Sequence, residues 1–340
     1  MEKKQVINKN YFWIDLLKMV AAFSVIILHV SVPLTIDVSN TDIFQVGVFY
    51  NSFVRFSVPI FVMVSGVLLL SKHQDLGLFL KKRFSRIIYP FLFWSIIYLL
   101  IKINYNLPIK EVLLYSISQF RSGTEYHLWY IYMLIGLYLF IPILSKWSIN
   151  ASKKEMMYFL SIWVFILLLD LPGFVKLFTR VDFRYFSGYI GYLVLGTFLH
   201  RYIKPNSRGL SMLLFFVGTL VTFLATYFLS INSHTFNSQY FNFLSINVAI
   251  VATGIFLLCK DLVVQKGIVE KTITTISKYS YGIYLSHVFI LIVFGWIGFS
   301  ASLFNLWIGV PLVSVCCLAL SFLLTFLLSK IPVVGKYIAG

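Results

Sequence analysis

Three ionisable side chains fall inside the first long apolar run of the sequence, which covers residues 14–34. Asp15 and Lys18 lie near the start of this run, and His29 lies near its end. Each would cost about 2.5–3.5 kcal/mol at the centre of a membrane helix, so each needs a partner or a function. An imidazole takes up and releases a proton near neutral pH, which suits a general base or a proton relay. His29 is therefore the first candidate for chemistry.

Lys18 and His29 are predicted to project from one face of the first helix. At about 100° per residue, the eleven steps between them end some 20° beyond three full turns, about 16 Å further along the axis. Asp15 precedes Lys18 by one turn and can pair with it, which lowers the cost of burying both. Other interpretations stay open, since Lys18 could snorkel to the membrane interface and His29 could make an interhelical hydrogen bond.

Three further side chains in or beside the apolar runs could contact a ligand. Arg55 lies deep in the second run, and its guanidinium cannot become neutral by losing a proton. We therefore expect a partner or an anionic ligand for it inside the bundle. Ser65 and Gly66, later in that run, are typical of close helix packing.

His287, midway along the ninth run, would bind substrate or hydrogen-bond to a neighbouring helix. His127 begins the fourth run at the outer surface, where an interfacial residue needs no special role.

The elements that must position these residues are membrane-spanning helices. Hydrophobic residues make up 59% of the 340-residue chain and charged residues 12%, against roughly 25% charged residues in soluble domains. A span needs about 20 apolar residues. We predict an all-α, polytopic bundle of about ten transmembrane helices, forming a single domain over 1–340 with no extramembrane domain. The predicted spans are 14–34, 46–70, 87–103, 128–144, 157–171, 185–199, 210–229, 243–259, 281–297 and 306–328.

The net charge of +16 is distributed as membrane topology requires. Alternate connecting segments hold 20 of the 28 lysines and arginines, the opposite segments hold six, and Lys18 and Arg55 lie within spans. This positive-inside asymmetry predicts that both termini are cytoplasmic. The basic residues are thereby explained by orientation and by attraction to anionic lipids, and nucleic-acid binding is not expected.

Two smaller features restrict the class of protein further. The first run is long and lacks a small-residue cleavage site, so we expect a retained helix rather than a signal peptide. The three cysteines all lie in predicted spans and show no metal-ligand spacing, so we expect neither a disulfide framework nor a metal site. A membrane-embedded transferase and a transporter of a glycan or lipid intermediate both remain open, although the internal repeats common in transporters are not visible.

Five motifs, in order along the chain, resemble those of acyltransferase family 3, whose members transfer acyl groups to hydroxyls of cell-surface glycans. The resemblance covers essentially the whole chain and is greatest to the short branch that O-acetylates enterobacterial common antigen. The motifs are Tyr11-Phe12-Trp13-Ile14-Asp15 with Lys18 and His29; Arg55 with Val58-Pro59-Ile60-Phe61 and Ser65-Gly66; Arg83-Phe84-Ser85-Arg86 with Pro90; His127-Leu128-Trp129-Tyr130; and Tyr281-Gly282-Ile283-Tyr284-Leu285-Ser286-His287. Lys18 stands where arginine is commoner in the family.

The resemblance implies an acyl-CoA donor that enters from the cytoplasm and a catalytic His29. It further implies that Lys18, Arg83 and Arg86 bind the acyl-CoA, because basic side chains recognise phosphate. Contacts to the acceptor or to a developing oxyanion are expected from a second group of residues. That group comprises Arg55, His127 and His287.

The activity implied is O-acetyl transfer from acetyl-CoA to a hydroxyl of a lipid-linked or nascent surface polysaccharide. O-succinyl transfer to an exopolysaccharide is the alternative within the family. No permanently bound cofactor is expected. The expected partners are acetyl-CoA, the glycan acceptor and membrane lipids, and self-association into a homo-oligomer is left open. The expected location is the bacterial cytoplasmic (inner) membrane.

Overall fold

A computed structural model describes residues 11–169, 171, 188–204, 208–265 and 267–340. Within these residues the chain forms α-helices joined by turns and short 3₁₀ helices, with no strand. The helices are α1 Phe12–Ser31, α2 Thr41–Val54, α3 Ser57–Leu69, α4 Leu76–Lys102, α5 Ile109–Ser122, α6 Trp129–Asn150, α7 Lys153–Leu169, α8 Ile190–Tyr202, α9 Arg208–Ser233, α10 Ile246–Cys259, α11 Ile268–Lys278, α12 Ser280–Trp296, α13 Leu306–Ser329 and α14 Gly335–Ile338.

The predicted class of all-helical, multi-pass membrane protein is confirmed. In the described ranges, seven helical segments are long and apolar enough to cross a bilayer, and α11 with α12, bent by 73° relative to each other, would form an eighth. The seven are Phe12–Thr35, Thr41–Leu69, Leu76–Lys102, Tyr126–Asn150, Arg208–Ser233, Gln239–Cys259 and Leu306–Ser329.

The two remaining predicted spans, 157–171 and 185–199, correspond to shorter helices. Helix α7 has 17 residues and α8 has 13, where a span needs about 20. The described part of the chain therefore supports up to eight spans by length, rather than all ten. Residues 170, 172–187 and 1–10, which include parts of these predictions and the N-terminal segment, lie outside the described residues.

The second span is broken into α2 and α3 at Arg55. Pro59 has no backbone N–H, and its ring disfavours helix geometry at the carbonyl four residues earlier, which belongs to Arg55. The helix resumes beyond the break, where the Ile60 N–H donates to the Phe56 carbonyl at 3.0 Å. The sequence pattern predicted one continuous run here, and the proline explains why Arg55 instead lies at an interruption.

Helix α4 extends further than the predicted span 87–103, because it continues from Leu76 through Pro90. The side chain of Asp75 caps its start by accepting a hydrogen bond from the Leu78 N–H at 2.9 Å. The basic segment before the proline is thus the first part of the spanning helix. One consequence is that the arginines of this segment are held on a rigid element.

Helix α1 lies at the centre of the bundle. Its contacts include α2, α3, α10, α11, α12 and α13. Leu17 and Ala21 are fully buried on it. The helix that carries Asp15, Lys18 and His29 is therefore surrounded by protein along much of its length, which suits a helix with three ionisable groups.

Two glycines allow α3 and α8 to pack with their backbones almost touching. A Cβ atom at Gly66 would lie 2.0 Å from the Leu193 carbonyl oxygen, and one at Gly196 would lie 2.3 Å from the Met63 carbonyl oxygen. Helices in membranes associate through such small residues, because lipid provides little hydrophobic driving force. The close packing predicted at Gly66 is confirmed.

Replacing Gly66 with valine should destabilise the protein, because the added side chain overlaps backbone atoms and forces α3 and α8 apart. Overpacking typically costs about 1–3 kcal/mol, and a clash with backbone should reach at least the upper end of that range. The measurement is thermal unfolding of the detergent-purified protein. Gly136→Val is the matched control, since no atom lies within 4 Å of a Cβ at Gly136. Equal unfolding midpoints for the two variants would contradict the packing described.

Candidate active site

A cavity of about 230 Å³ brings together the three cations predicted to bind the acyl donor. Lys18 comes from α1, and Arg83 and Arg86 come from α4. Tyrosines from α6 and α12 form much of the remaining polar wall. They are Tyr130, Tyr138, Tyr281 and Tyr284. We name this space the basic cavity.

Lys18 is held by a short polar chain at the edge of the basic cavity. Its Nζ lies 3.5 Å from Asp15 Oδ1, so the predicted pair is confirmed. The hydroxyl of Ser277, in α11, donates to the same Asp15 oxygen at 2.6 Å. About a quarter of the Lys18 side chain is exposed, so the ammonium can still reach a ligand. Asp15 thereby links α1 to α11 and orients the lysine.

A second cavity, of about 520 Å³, is lined by His29. Its walls are mostly aliphatic and aromatic, with Tyr126 beside the histidine. The charged residues in the wall form an ion pair, in which Lys102 Nζ lies 2.8 Å from Glu125 Oε2. Lys102 also donates to the Thr124 carbonyl at 3.0 Å. We name this space the histidine cavity.

Residues of α12 line both cavities. His287 lies between the α12 residues that line the basic cavity and those that line the histidine cavity. Tyr281 and Tyr284 line the basic cavity, whereas Val288 and Leu291 line the histidine cavity. Tyr284 and Val288 are four residues apart, which is about 6 Å along a helix. The two cavities are therefore separated along α12 by roughly one helical turn.

Three histidines from three different segments meet at this separation. The ring centroids of His29 and His287 lie 5.2 Å apart, and those of His127 and His287 lie 5.1 Å apart. His29 and His127 are 6.5 Å apart. His127 and His287 are at most 1% exposed. His127 is therefore buried in the bundle rather than exposed at an interface, because the turn at 126–128 directs it inward.

A hydrogen bond fixes the ring orientation of His287, whereas the ring nitrogens of His127 make no hydrogen bond within the described residues. The ring Nδ1 of His287 lies 2.6 Å from the Tyr284 carbonyl oxygen; because a carbonyl only accepts, Nδ1 carries the hydrogen. The His287 ring therefore bonds to its own helix, whereas its backbone carbonyl accepts a hydrogen bond from Cys317 Sγ of α13 at 3.5 Å. Among the described residues, His287 Nε2 and both ring nitrogens of His127 are buried without a hydrogen-bond partner. Buried nitrogens of this kind are expected where a substrate or water binds. The Tyr284 hydroxyl donates to the His127 carbonyl and ties α12 to this turn.

Arg55 has an amide and aromatic rings around it. Its Nη2 donates to Asn51 Oδ1 at 2.8 Å, and its guanidinium carbon lies 4.3 Å from the Phe241 ring centroid and 5.3 Å from that of Phe243. Asn51 in turn donates to Ser31 Oγ at 2.8 Å. In the part of the chain that the structure describes, no carboxylate pairs with Arg55, and its Nε is buried without a partner.

The sequence did not single out several residues that complete the site. Glu125 is 6% exposed, and it accepts a hydrogen bond from the Tyr126 N–H at 3.1 Å as well as binding Lys102. Tyr284 contacts both His127 and His287, with ring centroids 5.6 and 5.7 Å apart. One signal was available, since Tyr284 and His287 are three residues apart and so share a helix face. Lys102 carried no signal, because it occupies the end of a span, where lysines are common.

Comparison with known proteins identifies the family. A family model described as an acyltransferase domain, acyltransferase family 3, matches residues 11–330. The chain therefore belongs to acyltransferase family 3 and is a membrane acyltransferase. No curated protein and no solved structure was found to match the chain.

The two cavities should be reachable from opposite faces of the membrane. In a variant without native cysteines, Ser65→Cys samples the basic cavity and Gly295→Cys samples the histidine cavity. The second substitution has room, since no atom lies within 4 Å of a Cβ there. A membrane-impermeant thiol reagent should label each cysteine from one face only, and the faces should differ. Labelling of both from the same face would contradict the arrangement.

Proposed function

We propose that this membrane acyltransferase transfers an acetyl group from cytoplasmic acetyl-CoA to a hydroxyl of a lipid-linked or nascent surface polysaccharide. The observation that carries the proposal is the pair of cavities, one basic and one with a histidine, which meet at a cluster of buried imidazoles. A polyanionic donor fits the first cavity, and a hydroxyl acceptor beside His29 fits the second. Acyl transfer requires donor and acceptor to be held close together in a fixed orientation, and two adjoining cavities can provide this.

The basic cavity suits the nucleotide end of the donor. Arg83 and Arg86 offer planar forks that bind phosphate through paired hydrogen bonds, and Lys18 of α1 offers a compact charge. The pantetheine arm would then extend past the tyrosines toward the histidines, and would present its thioester near His29. Movement of Tyr284 opens this route, since that residue lines the basic cavity and bonds to the His127 carbonyl.

His29 has two possible roles in the transfer step. As a general base it takes the proton of the acceptor hydroxyl, whose oxygen attacks the thioester carbon while the carbon–sulfur bond breaks. As a nucleophile, its ring nitrogen first attacks the thioester carbon, and the carbon–sulfur bond breaks to release CoA as the thiolate. The acceptor hydroxyl oxygen then attacks the acetyl carbon, the nitrogen–carbon bond breaks, and the hydroxyl proton passes to the freed imidazole nitrogen. The position of His29 in the wall of the histidine cavity supports contact with the acceptor in both cases.

The neighbouring side chains divide into hydrogen-bond donors and one acceptor. With Nδ1–H engaged by the Tyr284 carbonyl, a neutral His287 offers only a lone pair at Nε2, which suits orientation of a hydroxyl. A neutral His127 must carry one N–H, and this group has no partner among the described residues. His127 and Arg55 are thus the better donors to a developing oxyanion.

We further propose the topology that this chemistry requires. The basic cavity faces the cytoplasm, as does the excess of Lys and Arg in the connecting segments, and the histidine cavity faces the outside. Both termini are then cytoplasmic, the chain crosses the bacterial inner membrane about ten times, and the protein falls in the short branch of the family that modifies enterobacterial common antigen or a similar glycan.

His29→Ala should abolish O-acetylation of the surface glycan, because no other described histidine lines the histidine cavity. The measurement is the O-acetyl content of the glycan from cells that produce each variant, with the membrane level of the protein followed by immunoblot. His73→Ala is the control, since His73 is exposed and lines neither cavity. Normal acetylation by a well-expressed His29→Ala variant would refute the assignment.

Arg83→Ala with Arg86→Ala should raise the apparent KM for acetyl-CoA by roughly ten-fold or more, since a hydrogen bond to a charged group contributes about 1.5–3 kcal/mol. The value of kcat should change much less, because the arginines lie away from the histidine cavity. Initial rates over a range of acetyl-CoA concentrations provide both constants.

The control for the arginine pair is Lys81→Ala with Lys82→Ala. This variant removes the same charge from the same helix, yet both lysines are exposed and neither lines the cavity. An equal rise in KM for the two double variants would show that bulk positive charge, rather than the cavity, binds the donor.

A further inference from the structure

A fourth cation, Lys278, lines the basic cavity. It is the last residue of α11, directly before the 73° bend that leads into α12. Ser277 and Ser280, on either side of the bend, line the same cavity. The bend therefore brings the end of one helix and the start of the next to a single wall of the basic cavity.

The charge in this cavity exceeds what the described side chains neutralise. Four cations line it: Lys18, Arg83, Arg86 and Lys278. Among the described residues, one carboxylate, that of Asp15, forms an ion pair with one of these cations, Lys18. Four cations against one carboxylate leave a strong excess of positive charge around a concave space. Such an excess attracts and concentrates an anion with several charges.

Contacts to α1 and α4 hold the bend in this position. The Ser277 hydroxyl donates to Asp15 Oδ1 at 2.6 Å, which anchors the end of α11 to α1. The Tyr281 hydroxyl donates to the Ile87 carbonyl at 2.9 Å, which anchors the start of α12 to α4, one residue beyond Arg86. All four cations are thus carried by elements that are bonded to one another.

Lys271 shows that a lysine on α11 need not belong to the cavity. It lies two turns before Lys278 on the same helix, is exposed, and is not part of the cavity wall. A general attraction of α11 to anionic lipid would involve both lysines. Of the two lysines, Lys278 is the one placed to contact a molecule in the basic cavity.

We propose that Lys278 and the bend between α11 and α12 complete a phosphate-binding site for the donor, in which Lys278 contacts a phosphate that Lys18, Arg83 and Arg86 leave unneutralised. The inference rests on the proposed function in taking the donor to be an acyl-CoA, whose 3′-phosphate and pyrophosphate supply several negative charges. The site selects for the phosphorylated part of the donor and has no contact with the acyl group.

The test is equilibrium binding of CoA to the full-length protein in nanodiscs of neutral phosphatidylcholine. Lys278→Ala should weaken binding by roughly ten-fold or more, as expected for loss of one charge-assisted hydrogen bond. Lys278→Arg should bind within about two-fold of the wild type, since the charge is kept. Lys271→Ala, the matched control on the same helix, should bind as the wild type does.

Phosphate recognition is tested with truncated ligands. Pantetheine, which has no phosphate, should bind the wild type and Lys278→Ala equally. With dephospho-CoA, the penalty for Lys278→Ala should vanish if Lys278 contacts the 3′-phosphate and persist if it contacts the pyrophosphate; either result supports the site. An equal penalty with pantetheine would overturn the proposal, because it would show a general disturbance of the cavity.

The same binding experiment distinguishes failure of the Lys278 proposal from failure of the proposed function. Equal CoA binding by the wild type and Lys278→Ala in neutral nanodiscs overturns this inference alone. A difference that arises only with phosphatidylglycerol also overturns it, since Lys278 would then contact lipid headgroups. No CoA binding by the wild type itself would instead contradict the proposed donor, and with it the proposed function.

Discussion

The structure depends on the cost of placing charge in hydrocarbon. A cation or imidazole facing lipid would be costly, so this chain directs its ionisable groups toward cavities or toward polar partners within the bundle. Helix α1 lies at the centre of the bundle, where its contacts include six neighbouring helices. It carries Lys18 at the basic cavity and His29 at the histidine cavity, so neither group faces lipid. The same constraint that limits where charge can lie therefore brings the candidate site residues together.

Prolines and glycines provide the geometry that the charged residues need. Pro59 interrupts the second span at Arg55, so the guanidinium occupies a break between helices, where Asn51 and two aromatic rings surround it. Gly66 and Gly196 then let α3 and α8 approach to backbone contact. Within this closely packed interior, the two cavities lie on either side of the histidine cluster.

Much of this arrangement could be predicted from local pattern, and the rest depends on tertiary contacts. Apolar run length predicted the helical membrane class, and spacing along one helix predicted the Asp15–Lys18 pair, because both are local properties. The burial of His127 could not be predicted, since it depends on a turn folding against α12. The partners of Arg55 and the Lys102–Glu125 pair likewise join distant parts of the chain. The apolar runs at 157–171 and 185–199 predicted two further spans, but α7 and α8 have only 17 and 13 residues, so run composition alone was too weak a criterion there.

The central claim is that an acetyl group moves from a cytoplasmic donor to a surface glycan at this site. It is tested most directly by mass spectrometry of the surface glycan from matched cells with and without the protein. We expect a mass difference of one acetyl group per modified repeat unit, and we expect the modified mass to return when the wild-type chain is supplied again. A difference of one succinyl group would contradict the proposed donor. Identical glycan masses, with the protein present in the membrane, would contradict the claim altogether.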